Sequence, residues 1–148
     1  MLSCTFIGHK DTPDEIQPIL EKTLVDLIQN KNVNTFYVGT HGRFDKMVRN
    51  TLKSLKQKYE NIDYSVVLAY LPYKKSEYTD EDFSDTIYPE GLEAVPPRFA
   101  ISKRNKWMID NSDYIVSYVK HHFGNSAQFE EYAEKKNKNV IKLYSLSL

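Results

Sequence analysis

Apolar positions along the chain switch repeatedly between two spacings. Leu2 to Ile7 is a run of apolar and β-branched residues that stops at Gly8, which predicts a short strand. Thr12-Pro13-Asp14-Glu15 then reads as a helix start, with Thr12 as cap, Pro13 at the first helical position and Glu15 closing a capping box. Ile16, Ile19, Leu20, Leu24, Leu27 and Ile28 follow at the 3.6-residue period of a helix with one buried stripe. Val33 to Val38 predicts a second strand, again ended by a glycine, Gly39. After the turn Thr40-His41-Gly42, the positions Phe44, Met47, Val48, Thr51, Leu52, Leu55 and Tyr59 mark a second amphipathic helix. Tyr64 to Leu71 has a continuous apolar centre, as in a strand covered on both faces. A third helix is expected from Arg98 to about Asn111, opened by Pro96-Pro97. A strand from Tyr114 to Val119, a helix from about Ala127 to Lys136 and a last strand from Val140 to Leu143 or Tyr144 complete the series.

Strands and helices alternate, and each connection is long enough to hold the crossover that parallel strands need. The pattern predicts an α/β fold in one domain over residues 1–148: an open three-layer sheet of about five parallel strands, in the order 3-2-1-4-5. One region breaks the alternation. From Ser76 to Pro97 there are seven acidic residues and no Lys or Arg. With Tyr73, Tyr78, Phe83, Ile87, Tyr88 and Leu92 available to anchor it, the stretch of about 72–97 reads as a long acidic loop. Such a loop can serve as a lid, as a simple solvated connection, or as a surface that docks a basic partner or a second copy of the chain.

Composition narrows the function. Lys+Arg and Asp+Glu number 20 each, which predicts no general nucleic-acid binding and no attraction to an acidic membrane, since both rest on excess positive charge. No apolar run approaches the ~18 residues of a membrane span, and no secretory leader is visible. The lone Cys4 excludes an internal disulfide, fits a reducing cytoplasm and, lying inside the first strand, is a poor nucleophile.

In an open parallel sheet, ligands bind outside the carboxyl ends of the strands. The segments expected there are Gly8-His9-Lys10, Gly39-Thr40-His41-Gly42 with Asp45, and Lys120 to Ser126. They hold four of the five glycines and all four histidines. Glycines at such turns let backbone N–H groups approach an anion, and a helix N-terminus adds a positive dipole end. The Gly39 and Gly124 loops therefore suit a phosphate, although Gly39-x-x-Gly42 is neither a P-loop nor the dinucleotide fingerprint. Arg104 and Asn105 on the third helix are further candidates to reach a ligand, arginine's fork matching phosphate geometry. Glu130 and Asp45 are the carboxylates considered for acid/base work, but neither has an assignable partner. The histidine spacing matches no metal motif, and no motif implies a resident cofactor.

The segments CTFIGHK (4–10), YVGTHGRFDKMV (37–48), SKRNKWMIDNSDYIVSYV (102–119) and FGNSAQFEEYAEKKNKNVIKL (123–143) resemble the YpsA-like branch of the SLOG superfamily. That superfamily also contains the Smf/DprA DNA-processing proteins and the LOG phosphoribohydrolases. Its most specific mark is R-N-x-x-M-[IV]-D-x-[SA]-D, here Arg104, Asn105, Asp110 and Asp113 with the intervening residues. The resemblance implies a Rossmann-like fold with a nucleotide or nucleotide-derived ligand at the carboxyl ends of the strands. The convergence of glycine, basic and histidine residues on that rim is read as a non-catalytic or weakly catalytic binding domain for such a ligand, for example an ADP-ribose or NAD-derived molecule. It implies contacts from Gly8, His9, Lys10, Gly39, Gly42, Asp45, Arg104, Asn105, Gly124, Asn125 and Ser126. The last loop reads Phe123-Gly124-Asn125-Ser126 where relatives often have Gly-Gly-Thr, and the P-G-G-x-G-T-x-x-E signature of LOG enzymes is missing. A nucleotide N-glycosidase using Glu130 or Asp45 is the competing expectation.

Overall fold

The computed structural model describes residues 2–70 and 86–148. Its elements are β1 (Leu2–Gly8), α1 (Gln17–Asn30), β2 (Val33–Val38), α2 (Gly42–Lys58), β3 (Asp63–Val67), β4 (Thr86–Ile87), α3 (Pro97–Asp110), β5 (Tyr114–Tyr118), α4 (Asn125–Lys135), β6 (Asn139–Lys142) and α5 (Leu143–Leu146). Short 3-10 turns at Asp14–Ile16 and Leu92–Ala94 precede α1 and α3.

The strands form one sheet in the order β4-β3-β2-β1-β5-β6, with every neighbouring pair parallel. β1 is central: Cys4 lies opposite Phe36 of β2 on one side and Tyr114 of β5 on the other. The fold is thus the expected open α/β sheet, and the expected strand order is present within it. A sixth strand is added at the edge, where Thr86 and Ile87 pair with Val66 and Val67.

Alternation along the strands makes the three layers. Cys4 and Phe6 of β1 and Val116 and Tyr118 of β5 point into a cluster with Leu20, Leu24 and Leu27 of α1 and Phe44, Val48 and Leu52 of α2. Ile7 and Ile115 point the other way, against Ile109 of α3 and Ala133 of α4. The period-2 pleat therefore serves two helical layers at once. Cys4 is fully buried, which pushes its thiol far up.

Several boundaries differ from expectation. Thr12 does not cap α1: it is buried, and its hydroxyl donates to the His9 carbonyl at 2.6 Å. Pro13 has extended backbone, a 3-10 turn intervenes, and α1 starts at Gln17 with Pro18 in its first turn. β3 ends at Val67, four residues short of the expected Leu71, and the Leu68 N–H makes its last rung with the Ile87 carbonyl of β4 (2.8 Å). The final strand stops at Lys142, where the chain coils into α5 and buries Leu143. Of the acidic stretch, Thr86 to Pro97 forms β4, a turn and the 3-10 turn before α3. Residues 71–85, with Tyr73, Tyr78, Phe83 and five of the seven acidic positions, lie outside the described residues.

Candidate functional site

The turns after β1, β2 and β5 converge at the carboxyl edge of the sheet. Gly42 adopts φ +90°, and its backbone lies against Lys10 so closely that a Cβ there would sit 2.7 Å from the Lys10 Cα. The Lys10 carbonyl accepts the Arg43 N–H (2.9 Å), which ties the first turn to the second. The Ser126 hydroxyl donates to the Gly8 carbonyl (3.1 Å), and the Lys120 N–H donates to His9 Nε2 (2.9 Å), which tie the first turn to the third. His9 also packs against His121, with ring centroids 5.5 Å apart.

Between these turns and α3 lies a cleft of about 410 Å³. Of the residues expected from sequence, Gly8, His9, Lys10, His41, Asp45, Arg104, Asn105, Gly124, Asn125 and Ser126 line it. Ile101 and Phe129 supply an apolar wall. Gly39, Thr40 and Gly42 stand behind that lining: the Gly39 backbone abuts both Asp45 Oδ2 and the Arg104 guanidinium, and Thr40 bonds Arg104.

Arg104, which lines the cleft, is itself bonded to the protein around it. It is 1% exposed. Nη1 donates to the Val67 carbonyl (2.9 Å) and the Thr40 hydroxyl (3.3 Å), and Nε donates to Asn105 Oδ1 (2.8 Å). Nη2 lies 3.2 Å from His41 Nδ1. Arginine can only donate, so His41 Nδ1 accepts and the ring's proton sits on Nε2. By the same reasoning, His9 Nε2 accepts from Lys120 and its proton sits on Nδ1. Arg104 thus fastens the ends of β2 and β3 to α3 and orients His41 and Asn105.

Asp45 belongs to the same cluster. Its carboxylate accepts the His41 N–H (3.0 Å). Burial pushes its pKa above the ordinary aspartate value, while Arg104, the His41 N–H and Arg49 pull the other way. Burial lowers the pKa of His41, helped by Arg104 and Arg49. Burial also lowers that of His9, with His121 and Lys120 adding to it and Asp11 and Glu130 opposing. Both rings are therefore held as neutral donors near pH 7.

The two glycine loops are unequal as anion sites. At the start of α2 the His41 N–H goes to Asp45 and the Arg43 N–H to Lys10, and Asp45 adds negative charge to the first turn. α4 starts at Asn125 with no side-chain cap and no acidic residue in its first turn. Its first N–H groups have no partner within the helix. The open end of the cleft is therefore the α4 end.

Glu130 does not join the cleft. Its Oε2 accepts from Ser117 (2.7 Å), and its Oε1 faces Lys142 at 3.9 Å, on the opposite flank of α4. Asp110 and Asp113 also lie elsewhere. Asp113 receives the Ser3 N–H (3.0 Å) at the far end of β1, and Asp110 receives the Tyr132 hydroxyl (2.8 Å). They brace the fold, as one half of a motif whose other half reaches the cleft. Among the described residues no three His, Cys, Asp or Glu side chains group as a metal site, and no helix is long and apolar enough to cross a membrane.

Two solved structures are similar to this chain. DNA processing protein A (DprA) from Streptococcus pneumoniae superposes over 96% of this chain and 50% of its own, with TM-score 0.67 and 14% identity. DprA from Helicobacter pylori, described for its single-stranded DNA binding mode, superposes over 95% of this chain and 64% of its own, with TM-score 0.62 and 13% identity. The chain has the DprA fold. It spans about half to two thirds of the length of these DprA chains. No family profile and no curated protein sequence matches it. The fold is the one the SLOG resemblance implies. One expectation is corrected: balanced charge does not argue against nucleic-acid binding here, because a protein of this fold, H. pylori DprA, binds single-stranded DNA. Net charge sums the whole surface, whereas binding depends on where charges and N–H donors cluster.

Proposed function

We propose that the cleft binds a nucleotide or nucleotide-derived ligand, in the manner of an ADP-ribose or NAD-related molecule, and that the chain is a YpsA-like member of the SLOG superfamily acting in the cytoplasm. The phosphate rests on the N-terminus of α4, against Gly124, Asn125 and Ser126. His9, Lys10, His41 and Asn105 face it from the other walls, and Ile101 and Phe129 receive the base or sugar. Gly39, Thr40, Gly42, Asp45 and Arg104 hold the frame. The observation that carries this reading is the meeting of three separate turns at one cleft whose open side offers donors. Binding without catalysis is favoured because Glu130 faces away from the cleft and Asp45 is engaged with His41 and Arg104.

Isothermal titration with AMP, ADP-ribose and NAD tests the reading. Micromolar binding that weakens about tenfold or more in Ser126→Ala and Asn105→Ala is expected. Folded protein that binds none of the three below millimolar overturns it. A second reading draws on the described activity of the H. pylori protein: the nucleotide recognised is part of a single strand. Binding of an oligothymidylate with no binding of free nucleotides selects that reading. Intact substrates after incubation with nucleotides and NAD are expected by chromatography, and turnover would reinstate the N-glycosidase alternative.

A further inference from the structure

The cleft adjoins a second groove, of about 590 Å³, that runs between α3 and α4. Ile101, Asn105, Asn125 and Phe129 line both cavities, so the two lie side by side and share one wall. The chemistry changes from one to the other. The cleft offers the neutral rings of His9 and His41 and backbone N–H groups, and sets its cations Lys10 and Arg104 beside two carboxylates, Asp11 and Asp45. The groove carries Arg98, Lys106 and Lys135 against a single carboxylate, Glu131, which lies 3.0 Å from Lys135. Its wall includes the Tyr132 ring, with Lys106 Nζ at 5.6 Å and Lys136 Nζ at 5.5 Å from the ring centroid. An aromatic face beside exposed cations fits a base with a phosphate attached to it. Either cavity alone is within the ~300–1,000 Å³ of a small-molecule site.

From this adjacency, and resting on the cleft reading above, we infer that the ligand is two phosphate-linked nucleotide units. One unit occupies the cleft and the other the α3–α4 groove. The link crosses at Asn105 and Asn125, whose side chains border both cavities. Arg98 and Lys106 neutralise the phosphate of the second unit, and Tyr132 and Phe129 flank its base. The same chemistry occurs in a free dinucleotide and in a short single strand.

Calorimetry with matched pairs tests this: NAD against AMP, and thymidine dinucleotide against thymidine monophosphate. At least one linked ligand is expected to bind about tenfold tighter than its single unit. The double variant Arg98→Gln/Lys106→Gln, both exposed positions, is expected to erase that gain and leave the single unit's affinity unchanged. A gain confined to NAD identifies a free dinucleotide, and a gain confined to thymidine dinucleotide identifies a strand. Single units that bind as tightly as linked ones, or a gain that survives the double variant, overturn the inference and leave the cleft reading standing. Folded protein that binds neither single nor linked units overturns the cleft reading itself.

Discussion

Arg104 sits at 1% exposure with its guanidinium bonded to Val67, Thr40 and Asn105 and with Asp45 close by. Removing one member of a buried charge cluster leaves the other without its counter-charge, which costs about 3–5 kcal/mol. Arg104→Ala is expected to lose that much in urea denaturation. Arg104→Lys is expected to lose part of it, because an ammonium cannot span the same acceptors. This residue was half legible in the sequence. Its place in the R-N motif marked it, but a charged side chain on a helix beside Lys103 and Lys106 reads as surface, and only the packing of α3 over the ends of β2 and β3 buries it. His9 makes a second prediction at this scale. Its folded pKa lies below the ordinary 6.5, so below pH 6.5 the unfolded chain takes up a proton that the folded chain refuses. His9's contribution to stability is therefore complete above 6.5 and declines as pH falls toward its lowered value. Asp45, raised in the fold, acts with the opposite sign in the acidic range, above its ordinary 3.8: there the folded chain holds the extra proton, and stability is regained as pH falls. Denaturation series through pH 6.5 are expected to be flatter in His9→Gln than in the wild type.

Elements position the cleft through contacts that tolerate no extra atom. Phe44, in the first turn of α2, fills the space beside Gly8, and a Cβ on Gly8 would meet the Phe44 ring at 2.2 Å. Gly8→Ala is therefore expected to destabilise the protein by about 1–3 kcal/mol, measured by thermal or urea unfolding. Gly124, by contrast, has open space around it, and its φ of +96° is the obstacle to substitution. Gly124→Ala is expected to strain the start of α4 by about 1–3 kcal/mol and to weaken ligand binding more than Gly8→Ala does. The long helices were readable because α1 and α2 repeat their buried residues at a clear period. β4 was not, because two residues inside an acidic stretch carry no period at all. The Thr12 cap was misread because the same Thr-Pro-Asp-Glu sequence also suits a turn in which the hydroxyl bonds back to His9.

At the scale of the whole molecule, the position of the cleft follows from topology. Parallel strands with β1 in the middle bring all of their carboxyl ends to one edge, and the order reverses between β2 and β5 around β1. That much could be read from alternation alone. The facing of individual side chains could not. Glu130 follows the right loop, yet the register of α4 turns it to Ser117 and Lys142. Glu130→Gln is accordingly expected to leave nucleotide affinity within about twofold of wild type, whereas an enzyme using that carboxylate would lose its activity. The balanced total charge was the least informative feature, since it sums the whole surface: Arg98, Lys106 and Lys135 gather in one groove although the chain as a whole is neutral.

The central claim, that one edge of the sheet is a nucleotide site, is tested most directly by following backbone amide resonances while AMP is added. The account predicts that the shifts concentrate at Gly8–Lys10, His41, Asn105 and Gly124–Ser126. Shifts centred instead on the groove between α1 and α2, near Gln17 and Asn50, or no shifts in folded protein, would contradict it.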